Sequence, residues 1–340
     1  MSATPGFKHL WNLVDELLIL HQGAQHALEA IEDCMASADG VMAPQNAVIA
    51  GESGVGKSTL IEVVKRRYPE YETQERTVRP VVVVEVDEVL GTRNLPAWTL
   101  KALGDPRPTR GTELDMTNRV YDLAIGQDVK LFMFDEVQHF VEKEKGEALM
   151  RRANWFKRLT DKTKAAIVLC GLPSLLGLTA ADPQIRGRCG TPIILSRFDW
   201  KVPAQQEEFL KILSAFDAGV RQHFDMPSLV EPDMAFRCYC SCGGLMRPLA
   251  RTLRAAVRAA CKKGSSVITL EDLAAANAKV VADIGKLVPS NRPFSRQFFS
   301  EQRGGLLENF ATVGSSVEVP TDGTTNRSVS AKLGPFGRAR

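Results

Sequence analysis

Gly51, Glu52, Ser53, Gly54, Val55, Gly56, Lys57 and Ser58, followed by Thr59, have the residue types and spacing of a phosphate cradle. The three glycines let the backbone turn with its N–H groups pointing inward around phosphates. A helix starting behind the loop adds the partial positive charge of its N-terminus. The Lys57 ammonium can reach the β- and γ-phosphates of a nucleotide, and the Ser58 hydroxyl can ligate magnesium. Such a loop works only between a strand and a helix. Both are expected, AVIA at 47–50 before it and TLIEVVKRRY at 59–68 after it.

A phosphate loop needs an acidic partner. LFMFDE supplies one, four apolar residues and then Asp135 and Glu136 at the end of an expected strand. Asp135 would hold magnesium, directly or through water, and Glu136 would polarise the attacking water. The rival acidic cluster EVDE (85–88) follows the phosphate loop too soon and is read as structural. Together these residues describe a binder of ATP or GTP with Mg2+. No NKxD-like guanine-recognition motif occurs, which favours ATP. His139 is read as a structural hydrogen-bonding group. The spacing of Cys238, Cys240 and Cys242 in RCYCSCGG suits packing better than a zinc knuckle.

These residues require a particular scaffold. Short apolar runs at 47–51, 80–86, 130–136, 165–171 and 192–196 alternate with helical patterns. Runs with little polar alternation read as strands buried on both faces, hence a parallel sheet between helices, the α/β class. The expected organisation is an N-terminal helical segment at 1–37, one helix from Leu10 to Ala36, and a nucleotide-binding α/β domain at 38–198. A small all-helical domain follows at 199–285, and then a basic, partly disordered tail at 286–340. The 43 Lys and Arg against 40 Asp and Glu give a net charge of +3, so only a local basic patch could argue for nucleic acid. No run is long and apolar enough for a membrane span, and no secretory signal is visible. Seven cysteines, an odd number, suit reduced thiols; the expectation is a cytoplasmic protein with no membrane partner.

A nucleotide domain followed by a small helical domain resembles the AAA+ ATPases, P-loop NTPases whose copies form rings or helical filaments with ATP between neighbours. CGLPSL (170–175) lies where that family keeps its first sensor, a part that Cys170 or Ser174 would have to play. Arg186 and Arg188, just before the fifth strand, resemble the arginine finger that enters a neighbour's site. Arg247, in GGLMRPLARTLR, resembles the second sensor, which faces the nucleotide.

Within AAA+, the surroundings DEVQH, NWFKRLTD and GLPSLL are most similar to the transposition ATPases of the TniB/TnsC type. That resemblance implies an ATP-loaded homo-oligomer that hydrolyses ATP, wraps double-stranded DNA, selects the target and recruits a DDE transposase. A TniQ-like adaptor or a CRISPR effector would mark the target. Residues 91–119 carry Arg93, Lys101, Arg110 and Arg119 in loops broken by Pro and Gly, placed to meet backbone phosphates without sequence preference. Phe294, Phe298, Phe299 and Phe310, among Arg292, Arg296 and Arg303, suit either docking on a partner or packing back on the small domain. Two other functions share the ATPase motifs: a helicase loader or replication initiator, and a signalling switch ATPase without DNA.

Overall fold

The structure is a computed structural model that describes residues 5–38, 40, 43–88, 91, 93–181, 183–284, 288–290, 292–298 and 303–308. Two compact units emerge. One holds residues 23–53 and 57–195; the other holds the described residues up to 22, the loop tip at 54–56, and those from 196 onward.

In the first unit, α2 (Gln22–Ser37) leads to β1 (Ala47–Gly51) and α3 (Lys57–Arg67). A small hairpin, β2 (Tyr71–Glu72) with β3 (Thr77–Val78), precedes β4 (Val81–Glu85), α4 (Asn94–Ala102) and α5 (Glu113–Gly126). Then come β5 (Leu131–Asp135), α6 (Gln138–Lys143), α7 (Glu147–Thr163), β6 (Ala166–Gly171), α8 (Leu176–Ala181), α9 (Pro183–Cys189) and β7 (Ile193–Leu195). The five long strands form a parallel sheet in the order β4-β5-β6-β1-β7. The three inner strands β5, β6 and β1 are buried almost throughout, whereas β4 at the edge alternates. Their unbroken apolar runs follow from that burial on both faces. In register, Ala50 lies beside Gly171, and Glu85 beside Asp135, so the ends of four neighbouring strands carry the chemistry-bearing residues. Ligands of open parallel sheets bind outside those carboxyl ends.

Aromatic packing holds α6 and α7 against β5. The Phe134 and Phe156 rings meet at 4.9 Å, and Phe140 sits 6.3 Å from Phe156. The Trp155 indole N–H donates to the Thr117 hydroxyl at 3.2 Å, tying α7 to α5. Each such ring pair contributes about 1 kcal/mol beyond its burial, which fixes the turn between β5 and α6.

The second unit contains α1 (Leu13–Glu16), α10 (Pro203–Arg221), α11 (Pro232–Cys242), α12 (Met246–Lys263), α13 (Leu270–Ile284) and α14 (Arg303–Glu308). Leu10 and Val14 join Phe209, Leu213, Phe236 and Leu249 in one core. The single N-terminal helix expected over Leu10–Ala36 is interrupted, because residues 17–21 are not helical. Its apolar stripe serves two cores. Val14 packs in the helical unit, whereas Ala27 and Ile31 are buried on α2 of the α/β unit. Cys238, Cys240 and Cys242 all lie buried on α11, and burial pushes the Cys242 thiol up to about 12. The tail folds back as far as it is described: Phe294 is buried, and Arg237 donates to the carbonyls of Pro293, Ser295 and Phe298. Its guanidinium also lies 5.0 Å from the Phe298 ring centre. Phe299 and Phe310 lie outside the described residues. No helix among the described residues is long and apolar enough to cross a membrane.

Gly243 and Gly244 end α11 with φ of +58° and +78°. The Gly244 carbonyl accepts from the Phe198 N–H at 3.0 Å, and a Cβ on Gly244 would run into the Phe198 carbonyl oxygen. Gly244→Ala is therefore expected to lower stability by about 2–4 kcal/mol. An unchanged urea midpoint would refute the close approach.

Candidate nucleotide site

The phosphate loop closes as its residue types require. Gly51 ends β1; Gly54 and Gly56 take φ of +92° and +117°, a region where only glycine is at ease. Lys57 opens α3, is buried, and its ammonium donates to the carbonyls of Gly51 at 2.6 Å and Glu52 at 3.0 Å. Ser58 is exposed on the first helical turn, with Thr59 beside it. The N–H groups of that turn have no carbonyl partner within the helix, which makes the loop mouth attractive to anions.

The tip of the loop is held from the second unit's own residues. The Arg247 N–H donates to the Gly54 carbonyl at 2.9 Å, and its Cβ lies 3.1 Å from where a side chain on Gly54 would begin. The Arg247 side chain is exposed at the start of α12. His21 Nε2 lies 3.0 Å from the Val55 carbonyl. A carbonyl only accepts, so Nε2 carries the hydrogen. Burial holds this imidazole below the ordinary histidine range, the Val55 bond partly opposing it, so His21 is neutral at physiological pH. Nothing in the spacing of the N-terminal helix pattern marked His21; the break at 17–21 places it.

Asp135 and Glu136 stand at the end of β5. Burial pushes the Asp135 carboxyl up, and the charges of Glu136 and Glu85 push the same way; the Glu136 N–H, 2.9 Å away, and the Lys57 ammonium oppose them. EVDE thus places Glu85 beside Asp135 on the neighbouring strand. A half-buried carboxylate in Lys57's field, with a hydroxyl at Ser58, makes a set of hard oxygens such as magnesium takes, so these residues fit that ion. Glu136 has φ +59°, the left-handed region, at a cost of order 1 kcal/mol for a side-chain-bearing residue. Strain of this kind collects where a side chain must point in a set direction.

The remaining candidates are more scattered. Cys170 is fully buried in β6, with its thiol pushed up by burial, and Ser174 is exposed, its hydroxyl donating to Glu142 at 2.9 Å. Arg188 pairs with Asp161 at 2.8 Å, whereas Arg186 is exposed on the same helix α9. The segment expected to be loops over 91–119 contains α4 and the start of α5, because Leu95, Leu100 and Met116 find core to pack in. Arg93 donates to the carbonyls of Thr109 and Gly111. Arg119 pairs with Asp105 at 3.0 Å and donates to the carbonyls of Arg107 and Arg110. Both arginines staple the turn through these bonds; Arg93, Lys101 and Arg110 are exposed and Arg119 is half-buried.

A family model described as "Bacterial TniB protein" matches residues 11–199. The chain is similar to the Aeropyrum pernix ORC1 protein in complex with DNA at 16% identity and a TM-score of 0.56, covering 82% of this chain and 72% of that one. Pyrobaculum aerophilum Cdc6p is similar at 14% identity and 0.54, covering 78% and 71%. The Aeropyrum pernix ORC2 protein, in its ADPNP-ADP complexes, is similar at 14% and 0.53, covering 80% and 72%. No curated protein matches the chain. At these identities the likeness concerns the fold alone, a P-loop NTPase of the AAA+ form.

Proposed function

Because the chain belongs to the bacterial TniB family, we propose that it is an ATPase that assembles on double-stranded DNA and there selects the target of a transposase. The observation that carries this reading is that a phosphate loop with Lys57, after β1, and an acidic pair, after β5, stand at the carboxyl ends of strands of one parallel sheet, with β6 alone between them. The loop N–H groups and Lys57 bind the triphosphate, and Ser58 and Asp135 hold magnesium. When bound, that ion would neutralise charge on the phosphate oxygens. Glu136 accepts a proton from the water whose oxygen attacks the γ-phosphorus; the bond to the bridging oxygen breaks, leaving ADP and phosphate.

Arg247, touching the loop tip through its own backbone, serves as the group that senses nucleotide. Arg188 is engaged with Asp161 and Arg186 is exposed on α9. Arg186 or Arg188, both on α9, would serve as the finger for a neighbouring copy's site, where a guanidinium stabilises charge developing on phosphate oxygens. Nucleotide at such a seam becomes part of the interface, so ATP favours a homo-oligomer, ring or filament. Hydrolysis releases it.

Lys101 and Arg110 would meet DNA phosphates, while Arg93 and Arg119 shape the turn that presents them. One similar structure is described as a complex with DNA, which makes a duplex the natural probe. The partners proposed for the assembled state are a DDE transposase and a TniQ-like adaptor or CRISPR effector. The test is electron microscopy and sedimentation with a non-hydrolysable ATP analogue and plasmid. Stacked particles on the duplex are expected with analogue and not with ADP. Lys101→Ala with Arg110→Ala should weaken binding for all sequences. The slope of log affinity against log salt should flatten by about one unit for each phosphate no longer neutralised. A chain that stays monomeric and ignores plasmid would sink the proposal.

A further inference from the structure

Gln138 lies two residues beyond Glu136, at the start of α6, and is 1% exposed. An amide so deeply buried must satisfy both of its ends. Its Nε2 donates to Glu136 Oε2, and its Oε1 accepts from the Leu172 N–H at 3.0 Å. The turn carrying Glu136 is therefore laced to the end of β6 by a side chain as well as by backbone, since the Val137 N–H donates to the Cys170 carbonyl at 3.0 Å.

Gly171 supplies a second, independent observation. Its φ lies outside the left-handed region, so its backbone does not call for glycine. The reason is space. A Cβ there would strike Gln138 Oε1, come within 3.2 Å of Leu175 Cδ2 and 3.3 Å of the Gln138 nitrogen. The last residue of β6 has no side chain because the Gln138 amide occupies that room.

We propose that Gln138 is a positioning residue: its amide fixes the carboxylate of Glu136, occupying one oxygen and leaving the other for the attacking water. This rests on the reading of Glu136 as the proton acceptor. Glu136 is held at a strained φ at the sheet's end and has a flexible side chain; without an anchor its carboxylate would sample several rotamers, few of them productive. The anchor also joins the base to the turn after β6. Leu172 begins the Pro173–Leu175 turn, whose Ser174 reaches back to Glu142 of α6. A shift of that turn moves the amide and the carboxylate together.

The test uses the full chain with ATP and plasmid, measuring kcat and KM. Gln138→Ala is expected to lower kcat about 10–100-fold with KM unchanged, the scale of losing a well-placed orienting group. Gly171→Ala, which leaves Gln138 in the chain but takes its room, should lower kcat similarly. The double variant should be no slower than Gln138→Ala, because no amide remains to displace. Gln138→Glu keeps the shape and the acceptor for Leu172 but can donate to Glu136 only while protonated. Its kcat should fall with rising pH along a limb the parent lacks. A role in folding alone would add no such limb, and this variant serves if Gln138→Ala does not fold. Glu136→Gln is run alongside. If it stops turnover while Gln138→Ala and Gly171→Ala keep the parent kcat, the positioning role is wrong and the base stands. If Glu136→Gln turns over like the parent, the base assignment falls and takes the positioning role with it.

Discussion

Lys57→Ala is expected to abolish ATP-dependent assembly on DNA. The Lys57 ammonium is buried at the loop mouth, donating to the Gly51 and Glu52 carbonyls and lying within the field of Asp135. It is the cation that, in the proposed site, the loop presents to a triphosphate. Hydrogen bonds to charged groups contribute roughly 1.5–3 kcal/mol each, so removing two such bonds to phosphate costs about a hundredfold or more in affinity. Assembly falls at least as steeply, because each interface proposed here contains a nucleotide and the penalties multiply along the stack. Binding of a fluorescent ATP analogue and particle mass on plasmid measure the two effects. The fold itself should survive, since removing a buried ammonium also removes its desolvation cost. If Lys57→Ala bound DNA with ATP as the parent does, nucleotide would not be the element that joins copies.

Glu136→Gln separates binding from turnover. The substitution conserves shape, and its amide oxygen can still accept from Gln138, so the turn after β5 is retained. What it lacks is the carboxylate proposed to take the proton. General-base contributions of about 10²–10⁴ in rate set the expected fall in kcat, while ATP affinity changes little. Assemblies formed with ATP should then persist for hours instead of decaying, as seen by light scattering after dilution. Assemblies of Glu136→Gln that fell apart as fast as those of the parent would mean that hydrolysis does not time their release.

Much of the scaffold could be read from residue order alone, because each signal is local. The strands at 47–51, 81–85, 131–135, 166–171 and 193–195 were visible because burial on both faces demands unbroken apolar runs. Gly54 and Gly56 could be read because positive φ excludes most other residues, and Asp135 with Glu136 because an acidic pair ending such a run has few purposes. Helices α10 to α13 follow from apolar spacing at 3.6 residues per turn.

The choice of partner for each polar side chain was not available in the same way. Whether Leu10–Ala36 forms one helix or breaks at 17–21 depends on which core each apolar residue enters, and periodicity is the same in both cases. Arg93, Arg119 and Arg188 look alike in sequence to Lys101 and Arg110. Only folding brings the Thr109 and Gly111 carbonyls, Asp105 and Asp161 within reach of the first three. His21 meets Val55 across 34 positions and Gln138 meets Leu172 across 34. A hydrogen bond depends on where a distant backbone group arrives to within a few tenths of an ångström, and local pattern carries no such coordinate. Residue types and spacing settled which atoms were present at the strand ends; chain packing settled which of them hold one another.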